Sequence, residues 1–218
     1  MLILGIDTCG LTAACALWQD GEILSEVSFK AKKTHSQVIL PLVKKMLLDA
    51  DKTLSDVDVF AAVKGPGSYT GLRIGIAAVQ GICFALDKPC VGVSALEALA
   101  ENIPPLPGFK VCTLMHARKD LYYTALFEEG KRCMPDSILS ADELYSLLEG
   151  EKKNIICISD TDDVRLPSGC TRAPKVYCRR SGASLCSAAA KHDFCSAELL
   201  LPEYLQPTKA EKDLSEKA

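Results

Sequence analysis

Residues 2–29 read LILGIDTCGLTAACALWQDGEILSEVSF and contain three apolar runs in quick succession. The dipeptide Asp20-Gly21 separates the second run from the third, and it supplies the positive backbone angles that a tight hairpin needs. CGLT, at 9–12, forms the turn between the first two runs. The stretch therefore predicts three consecutive antiparallel strands, a meander, at the start of the fold.

A helix pattern follows the meander. Residues 34–50 place apolar side chains at helical spacing, and Thr34 or Ser36 is the expected cap. Pro41 is expected to bend this helix or to mark its first turns, because proline disrupts a helix interior.

A strand pattern in SDVDVFAAVK comes next, and GPGSYTGLRIG, residues 65–75, follows it directly. This motif opens a helix that we expect to reach about Leu86, with a serine or threonine of the motif as its cap. The short strand PCVGV then precedes a helix beginning at Ser94, with Glu97 as its capping box.

The second half repeats the order of the first. NIPPLPG, at 102–108, holds three prolines and cannot continue a helix. After it come strand patterns in KVCTLMHA and LYYTALFE, a Glu129-Gly130 turn and a third short run near 133–139. A helix then starts at Ser140 with Glu143 as a capping box, and NIICISD predicts a buried strand.

Three segments follow from these patterns. Residues 1–103 are predicted to form an N-terminal α/β subdomain and 104–206 a C-terminal α/β subdomain, each begun by a three-strand antiparallel meander. Within the second subdomain, 181–194 looks helical and LLPEYLQP ends the fold. The charged tail, 207–218, is expected to fray.

The composition excludes several classes of protein. The 218 residues, 48% hydrophobic and 24% charged, suffice for a sizeable core. Gly, Pro or charge breaks the longest apolar stretches before the roughly 20 residues that cross a bilayer, so no membrane contact is expected. A net charge of -3 does not favour direct nucleic-acid binding, and KAKK at 30–33 is interpreted as a solvated loop.

The 11 cysteines are scattered without a CxxC pair, and no signal peptide is expected, which favours a reducing cytoplasm. Five of them lie inside apolar stretches and are predicted to be buried small hydrophobes: Cys9, Cys15, Cys83, Cys112 and Cys157.

The GPGSYTGLRIG motif is similar to a phosphate-binding loop, but its spacing fails. Its glycines give GxGxxxG, one residue longer than a dinucleotide fingerprint, and no Lys-Ser or Lys-Thr follows as in a Walker loop. In the helix, Gly71 and Gly75 form one step of small residues, and Ala77, Gly81 and Ala85 form another. Since glycine costs up to about 1 kcal/mol in a helix, these positions predict close packing on two sides.

Four segments together resemble the bacterial TsaB family, also known as YeaZ: ILGIDT, THSQVILPLV, KGPGSYTGLRIGIAAVQGICFAL and VGVSALEALA. The resemblance covers residues 1–100 most strongly, with MHARKDLYYTALF and LLPEYLQP as later landmarks. It implies the α/β fold of actin, Hsp70 and sugar kinases. It also implies a non-catalytic scaffold role in making threonylcarbamoyladenosine next to the tRNA anticodon, with a TsaD-like catalytic subunit and a TsaE-like ATPase as partners.

The resemblance also bears on catalysis. The catalytic paralogue carries an HxxxH metal pair, and its two positions fall here on Ala95 and Leu99, which cannot bind a metal. The three histidines form no spaced cluster, so no metal site and no catalytic residue are predicted; DTDD, at 160–163, is left as a weak cation candidate. A peptidase is a remote alternative, because Ser68 has no predictable base and HExxH is absent.

Nucleotide binding stays open. In this fold class the loop after the first strand faces the phosphates, which makes Asp7 and Thr8 weak candidates, although Asp7 can equally hold the turn. In the matching loop MHARKD, His116 stands where the family has Asp. The alternative function is therefore an ATP-binding enzyme of the sugar-kinase or Hsp70 type. For the scaffold, no cofactor is required, and ATP or ADP is possible only at the complex interface.

In the family, the helices corresponding to 34–50 and 71–86 bind TsaD, and the same surface can pair two copies. The resemblance thus implies TsaD-like and TsaE-like partners, a homodimer when alone, indirect contact with tRNA and a cytoplasmic location. Eight residues are candidates for partner contact, each of which can equally be core: Leu40, Val43, Leu47, Leu72, Gly75, Ile76, Val79 and Cys83.

Overall fold

The structure is a computed structural model, and it describes residues 1–30, 35–152 and 154–206. Most of the KAKK cluster, the candidate cap Thr34 and the charged tail lie outside the described residues.

The first sheet begins with the predicted meander. Over the described ranges it comprises β1 (Leu2–Asp7), β2 (Thr12–Gln19), β3 (Glu22–Lys30), β4 (Val59–Gly65) and β5 (Cys90–Ser94). The order is β3-β2-β1-β4-β5, with β1, β2 and β3 antiparallel and β4 and β5 parallel to β1. Asp20 and Gly21 have φ of 50° and 98°, so the predicted tight turn is confirmed.

The second sheet repeats this plan. Its described strands are β6 (Phe109–Arg118), β7 (Leu121–Glu128), β8 (Lys131–Ser140), β9 (Asn154–Ser159) and β10 (Cys170–Arg172). The order is β10-β9-β6-β7-β8, with an antiparallel β6-β7-β8 meander turned by Glu129-Gly130. The β8 strand is longer than predicted, and β10 was not predicted because three residues carry no periodic signal.

Helices of the described chain cover both faces of each sheet. The described helices are α1 (His35–Asp49), α2 (Tyr69–Leu86), α3 (Ala95–Ala100), α4 (Ala141–Glu149) and α5 (Gly182–Ala189). One core cluster joins α1 and α2 to the first sheet, a second joins α3 and α5 to both sheets, and a third joins α4 to the second sheet. This arrangement is the two-part α/β architecture that the sequence predicts.

The helix caps follow the sequence in most cases. Ser68 caps α2 by accepting a hydrogen bond from the Gly71 amide, and the capping box at Ser140 is present. Ser94 caps α3, but the Glu97 carboxylate contacts Arg132 and His192 rather than closing the predicted box. Helix α5 ends earlier than predicted, because the chain turns to pair the Cys195 backbone with Cys90.

The chain returns to the first sheet in its last part. Helix α5 packs on β1 and β2 so closely that a Cβ at Gly182 would lie 2.5 Å from the Cys15 carbonyl carbon. The segment that follows reaches β5 and β4 through backbone hydrogen bonds from Cys195 to Cys90 and from Glu203 to Lys64. The division of the chain near residue 103 stays a prediction, and part of 104–206 lies against the first sheet.

Helix α2 is long and apolar enough to cross a membrane by length and composition alone. It lies against the first sheet, however, with Leu72, Ile76, Val79 and Cys83 buried, as a core helix does.

The glycines of α2 have different surroundings. A Cβ at Gly71 would lie 2.1 Å from the carbonyl oxygen of Thr8, and one at Gly75 would lie 2.7 Å from the Thr8 hydroxyl.

Gly81, on the other side of α2, is exposed, and a Cβ there would meet no atom of residues 1–30, 35–152 and 154–206 within 4 Å. Packing explains Gly71 and Gly75, whereas no atom of the described chain requires a glycine at 81.

The two kinds of glycine give a matched pair of substitutions. We expect Gly71→Ala to destabilise the fold by about 3 kcal/mol, because the new methyl group meets backbone that cannot move aside. Gly81→Ala should leave stability unchanged or raise it by up to about 1 kcal/mol through helix propensity. Urea unfolding of both variants measures the difference, and equal effects would contradict this packing of α2.

The cysteines give a second prediction. The five cysteines predicted to be buried are buried, and Cys133 is exposed. Burial raises the pKa of Cys15 and Cys83 to about 11, so neither forms the reactive thiolate near pH 8. We expect a thiol reagent at pH 8 to modify Cys133 first in the native protein, and Cys133→Ser to remove that fast phase. Fast labelling of Cys9 or Cys15 would show that the core is open.

Candidate functional site

The two loops expected to face a nucleotide line one cleft of about 550 Å³ between the sheets. Cys9 and Gly10 come from the loop after β1, and Met115 and His116 from the end of β6. Arg180, just before α5, completes the lining next to them. The two loops therefore meet, as the sequence predicts, and the contacts of their polar groups indicate what the cleft can do.

Asp7 and Thr8 are buried and hold the fold from within. One Asp7 oxygen accepts a hydrogen bond from the Cys9 amide at 2.9 Å, and the other lies 3.6 Å from Nη1 of Arg180. The Thr8 hydroxyl donates to the carbonyl oxygen of Gly71 at 2.6 Å. Both candidate nucleotide-binding side chains are therefore engaged in the turn, in α2 and in an ion pair.

Arg180 occupies the deep end of this cleft, with 11% of its side chain exposed. Its Nη2 donates to the sulfur of Met115 at 3.4 Å, while Nη1 faces Asp7. Burial raises the pKa of the neighbouring Cys9 thiol well above its ordinary value, although the Arg180 charge opposes this. Cys9 is thus protonated at neutral pH and is a poor nucleophile.

Sequence reasoning missed Arg180. Its place in KVYCRR carries no periodic signal, and only the return of the chain to the first sheet brings it to Asp7.

The second loop also uses its polar groups internally. The His116 amide donates to a carboxylate oxygen of Asp160 at 2.9 Å, and His116 Nε2 lies 2.8 Å from the carbonyl oxygen of Lys119. Asp162 pairs with Lys175 instead. Across the described part of the chain, no three His, Cys, Asp or Glu side chains are grouped to hold a metal ion. Residues 160–163, the weak cation candidate, therefore form no cluster of metal ligands with other described residues.

The candidate partner-contact residues require a correction. Leu40 is 47% exposed, but the other seven are buried in the core: Val43, Leu47, Leu72, Gly75, Ile76, Val79 and Cys83. The apolar face of the first sheet has to be covered, and the most apolar stripes of α1 and α2 cover it. Helical periodicity alone does not tell which stripe faces the sheet.

A different stripe of α2 faces outward. Arg73, Ala77, Gly81 and Phe84 recur at steps of four, four and three, which places them on one side of the helix. All are exposed, and Phe84 is 58% exposed. We call these residues, together with Leu40 and Tyr69, the α2 outer face.

The α2 outer face borders an open, mainly apolar groove of about 620 Å³ between α1 and α2. Its lining consists of residues from the first turns of α1 and the first half of α2: Ser36, Ile39, Leu40, Tyr69, Thr70, Arg73, Ile74, Ala77 and Ala78.

The other side of α2 carries residues 195–204, which we call the C-terminal strap. Gln80 donates from Nε2 to the carbonyl oxygens of Ala197 and Leu200, both at 3.0 Å. Further along, the Tyr204 ring stacks on Tyr69 with centroids 4.8 Å apart. The α2 outer face is therefore flanked by α1 on one side and by the C-terminal strap on the other.

Comparison with known proteins gives four matches of different weight. A family model described as TsaD, tRNA N6-adenosine threonylcarbamoyltransferase, matches residues 22–208. The tRNA threonylcarbamoyladenosine biosynthesis protein TsaB of Bacillus subtilis strain 168 is 34% identical over 166 residues, which are 74% of this chain and 72% of that protein.

Two solved structures are similar. YeaZ from Pseudomonas aeruginosa gives a TM-score of 0.78 at 26% identity, over 94% of this chain and 99% of that chain. An inorganic polyphosphate/ATP-glucomannokinase from an Arthrobacter species gives a TM-score of 0.51 at 13% identity, over 87% and 97%, a likeness of fold alone. Because the Bacillus subtilis TsaB is 34% identical and is covered over 72% of its length, this chain belongs to the TsaB family, also called YeaZ.

Proposed function

We propose that this chain is a non-catalytic scaffold subunit for threonylcarbamoyl transfer to adenosine in tRNA, next to the anticodon. It binds a TsaD-like catalytic subunit through the α2 outer face. The observation that carries this proposal is that Phe84 and Leu40 on that face expose apolar surface beside a groove, and no described residue covers it. Exposed apolar patches of this kind mark protein-binding surfaces.

Gly81 supports the same conclusion. Glycine inside a helix costs up to about 1 kcal/mol relative to alanine, and the described residues give no steric reason for a glycine at position 81. An approaching partner helix supplies such a reason, because it comes closest where the side chain is missing.

The cleft supports a scaffold rather than an ATP-binding enzyme. Asp7 is engaged by the Cys9 amide and by Arg180, so its carboxylate is not free to hold a hydrated cation. Ala95 and Leu99, where the catalytic paralogue is expected to carry its histidines, are buried apolar side chains that offer no ligand. The contacts of the described residues therefore favour neither the kinase-like nor the peptidase alternative.

The remaining parts of the proposal concern the assembly. This chain requires no cofactor, and any ATP or ADP binds where it meets its partners. A TsaE-like ATPase joins the complex, and the α2 outer face pairs two copies when the chain is alone in the cytoplasm. Contact with tRNA is indirect, because a net charge of -3 gives little attraction for phosphate.

Charge placed on the α2 outer face tests the docking. We expect Phe84→Glu and Leu40→Glu each to weaken binding to the TsaD-like subunit at least about tenfold, because a carboxylate is costly to bury in an apolar contact. Their stability should change by no more than about 0.5 kcal/mol, since both side chains are exposed. Titration calorimetry with the purified subunit measures the affinity.

Val176→Glu is the matched control, because Val176 is 61% exposed and lies in the 3-10 helix before α5. It should bind as the wild type does. Normal binding by both α2-face variants, with only Val176→Glu defective, would place the partner on another surface.

A further inference from the structure

Three side chains form an ordered cluster at the edge of the α2 outer face. The guanidinium of Arg73 lies over the ring of Tyr69, 4.2 Å from its centroid. Its Nε donates to the hydroxyl oxygen of Tyr204 at 3.1 Å. Tyr204 in turn stacks on Tyr69 with an interplanar angle of 24°. The arginine is thus held by the first turn of α2 and by the C-terminal strap together.

This arrangement leaves a defined part of Arg73 unused. With Nε bound to Tyr204, the two terminal nitrogens remain, and they present parallel N–H groups at the end of a planar fork. Arg73 makes no ion pair with any residue that the structure describes, and its side chain faces solvent. A carboxylate is the group that matches two parallel donors and a positive charge.

The surroundings indicate a protein rather than a nucleic acid. Arg73 borders the mainly apolar groove in which Leu40 and Ile74 lie, and Phe84 extends the apolar surface further along the same side of α2. A phosphate backbone gains nothing by covering such a surface, whereas protein interfaces combine apolar contacts with arginines.

We propose that Arg73 binds an Asp or Glu carboxylate of the TsaD-like subunit end-on through both terminal nitrogens, and that Tyr204 positions it. This inference rests on the proposed function, since it identifies the partner group that meets the α2 outer face. It also makes the C-terminal strap part of the interface. Because the two tyrosines already restrict the arginine, binding costs less side-chain entropy than it would for a free arginine.

The test compares variants of the full chain by titration calorimetry with the TsaD-like subunit. Arg73→Gln removes the charge, and Arg73→Lys keeps the charge but loses the fork, so both should weaken binding at least about tenfold. Tyr204→Phe keeps the stack and removes the hydroxyl acceptor, and a several-fold loss is expected. The matched control is Arg165→Gln, because Arg165 also lies over a tyrosine ring, Tyr145, at 4.7 Å in the second half.

Exchanging the two charges distinguishes a direct contact between Arg73 and the partner from a structural role of Arg73. Arg73→Glu should abolish binding, and replacing the contacting carboxylate of the catalytic subunit by Lys should restore it. A structural role for Arg73 would not produce this rescue. To locate the carboxylate, each surface Asp or Glu of the TsaD-like subunit is replaced by Lys in turn. The binding of each variant to Arg73→Glu is then measured.

The outcomes separate this inference from the proposed function. If the wild type binds and both Arg73 variants bind equally well, the inference is overturned while docking through α2 stands. If Tyr204→Phe binds as the wild type does, the positioning role of Tyr204 is overturned. If Arg73→Gln weakens only the binding of added tRNA, the arginine meets phosphate and the inference fails. If the wild type does not bind the subunit, the proposed function fails and the inference with it.

Discussion

The close approach of α2 to the loop after β1 is the contact on which the rest of the structure depends. Gly71 and Gly75 let the helix backbone lie against Thr8, whose hydroxyl donates to the Gly71 carbonyl at 2.6 Å. The Ser68 amide donates to the Cys9 carbonyl at 2.8 Å and fixes the start of the helix against the same loop. Because its first turn is held in this way, the rotation of α2 about its own axis is fixed. Its apolar stripe covers the sheet, and the opposite side is exposed.

The same loop supports the proposal that the chain does not work through a nucleotide in its cleft, although its fold is similar to that of a kinase. Asp7 uses one oxygen for the turn and faces Arg180 with the other. Its negative charge is therefore balanced from within the chain, and the arginine reaches it because the last part of the chain returns to the first sheet. The loop that the sequence makes a candidate for nucleotide binding here holds two parts of the structure together.

Sequence alone predicts the local features of this molecule well. The Asp20-Gly21 turn, the Ser140 cap and the two meanders depend on neighbouring residues, and each is confirmed. Seven of the eight partner-contact candidates are buried, and sequence alone could not show this, because Ile76 and Phe84 are both apolar and only the packed sheet decides which of them is buried. The Arg180 ion pair and the Tyr204 stack were missed, because each joins residues more than 100 positions apart and leaves no periodic trace.

The central claim is that this chain works through the α2 outer face and not through its cleft. Hydroxyl-radical footprinting of the chain with and without the TsaD-like subunit tests it directly, because the method reports the exposure of individual side chains. The account predicts that Leu40, Tyr69 and Phe84 become protected in the complex, while Leu11 at the cleft, 80% exposed in the free chain, does not. Protection of Leu11 with unchanged labelling of Phe84 would contradict it.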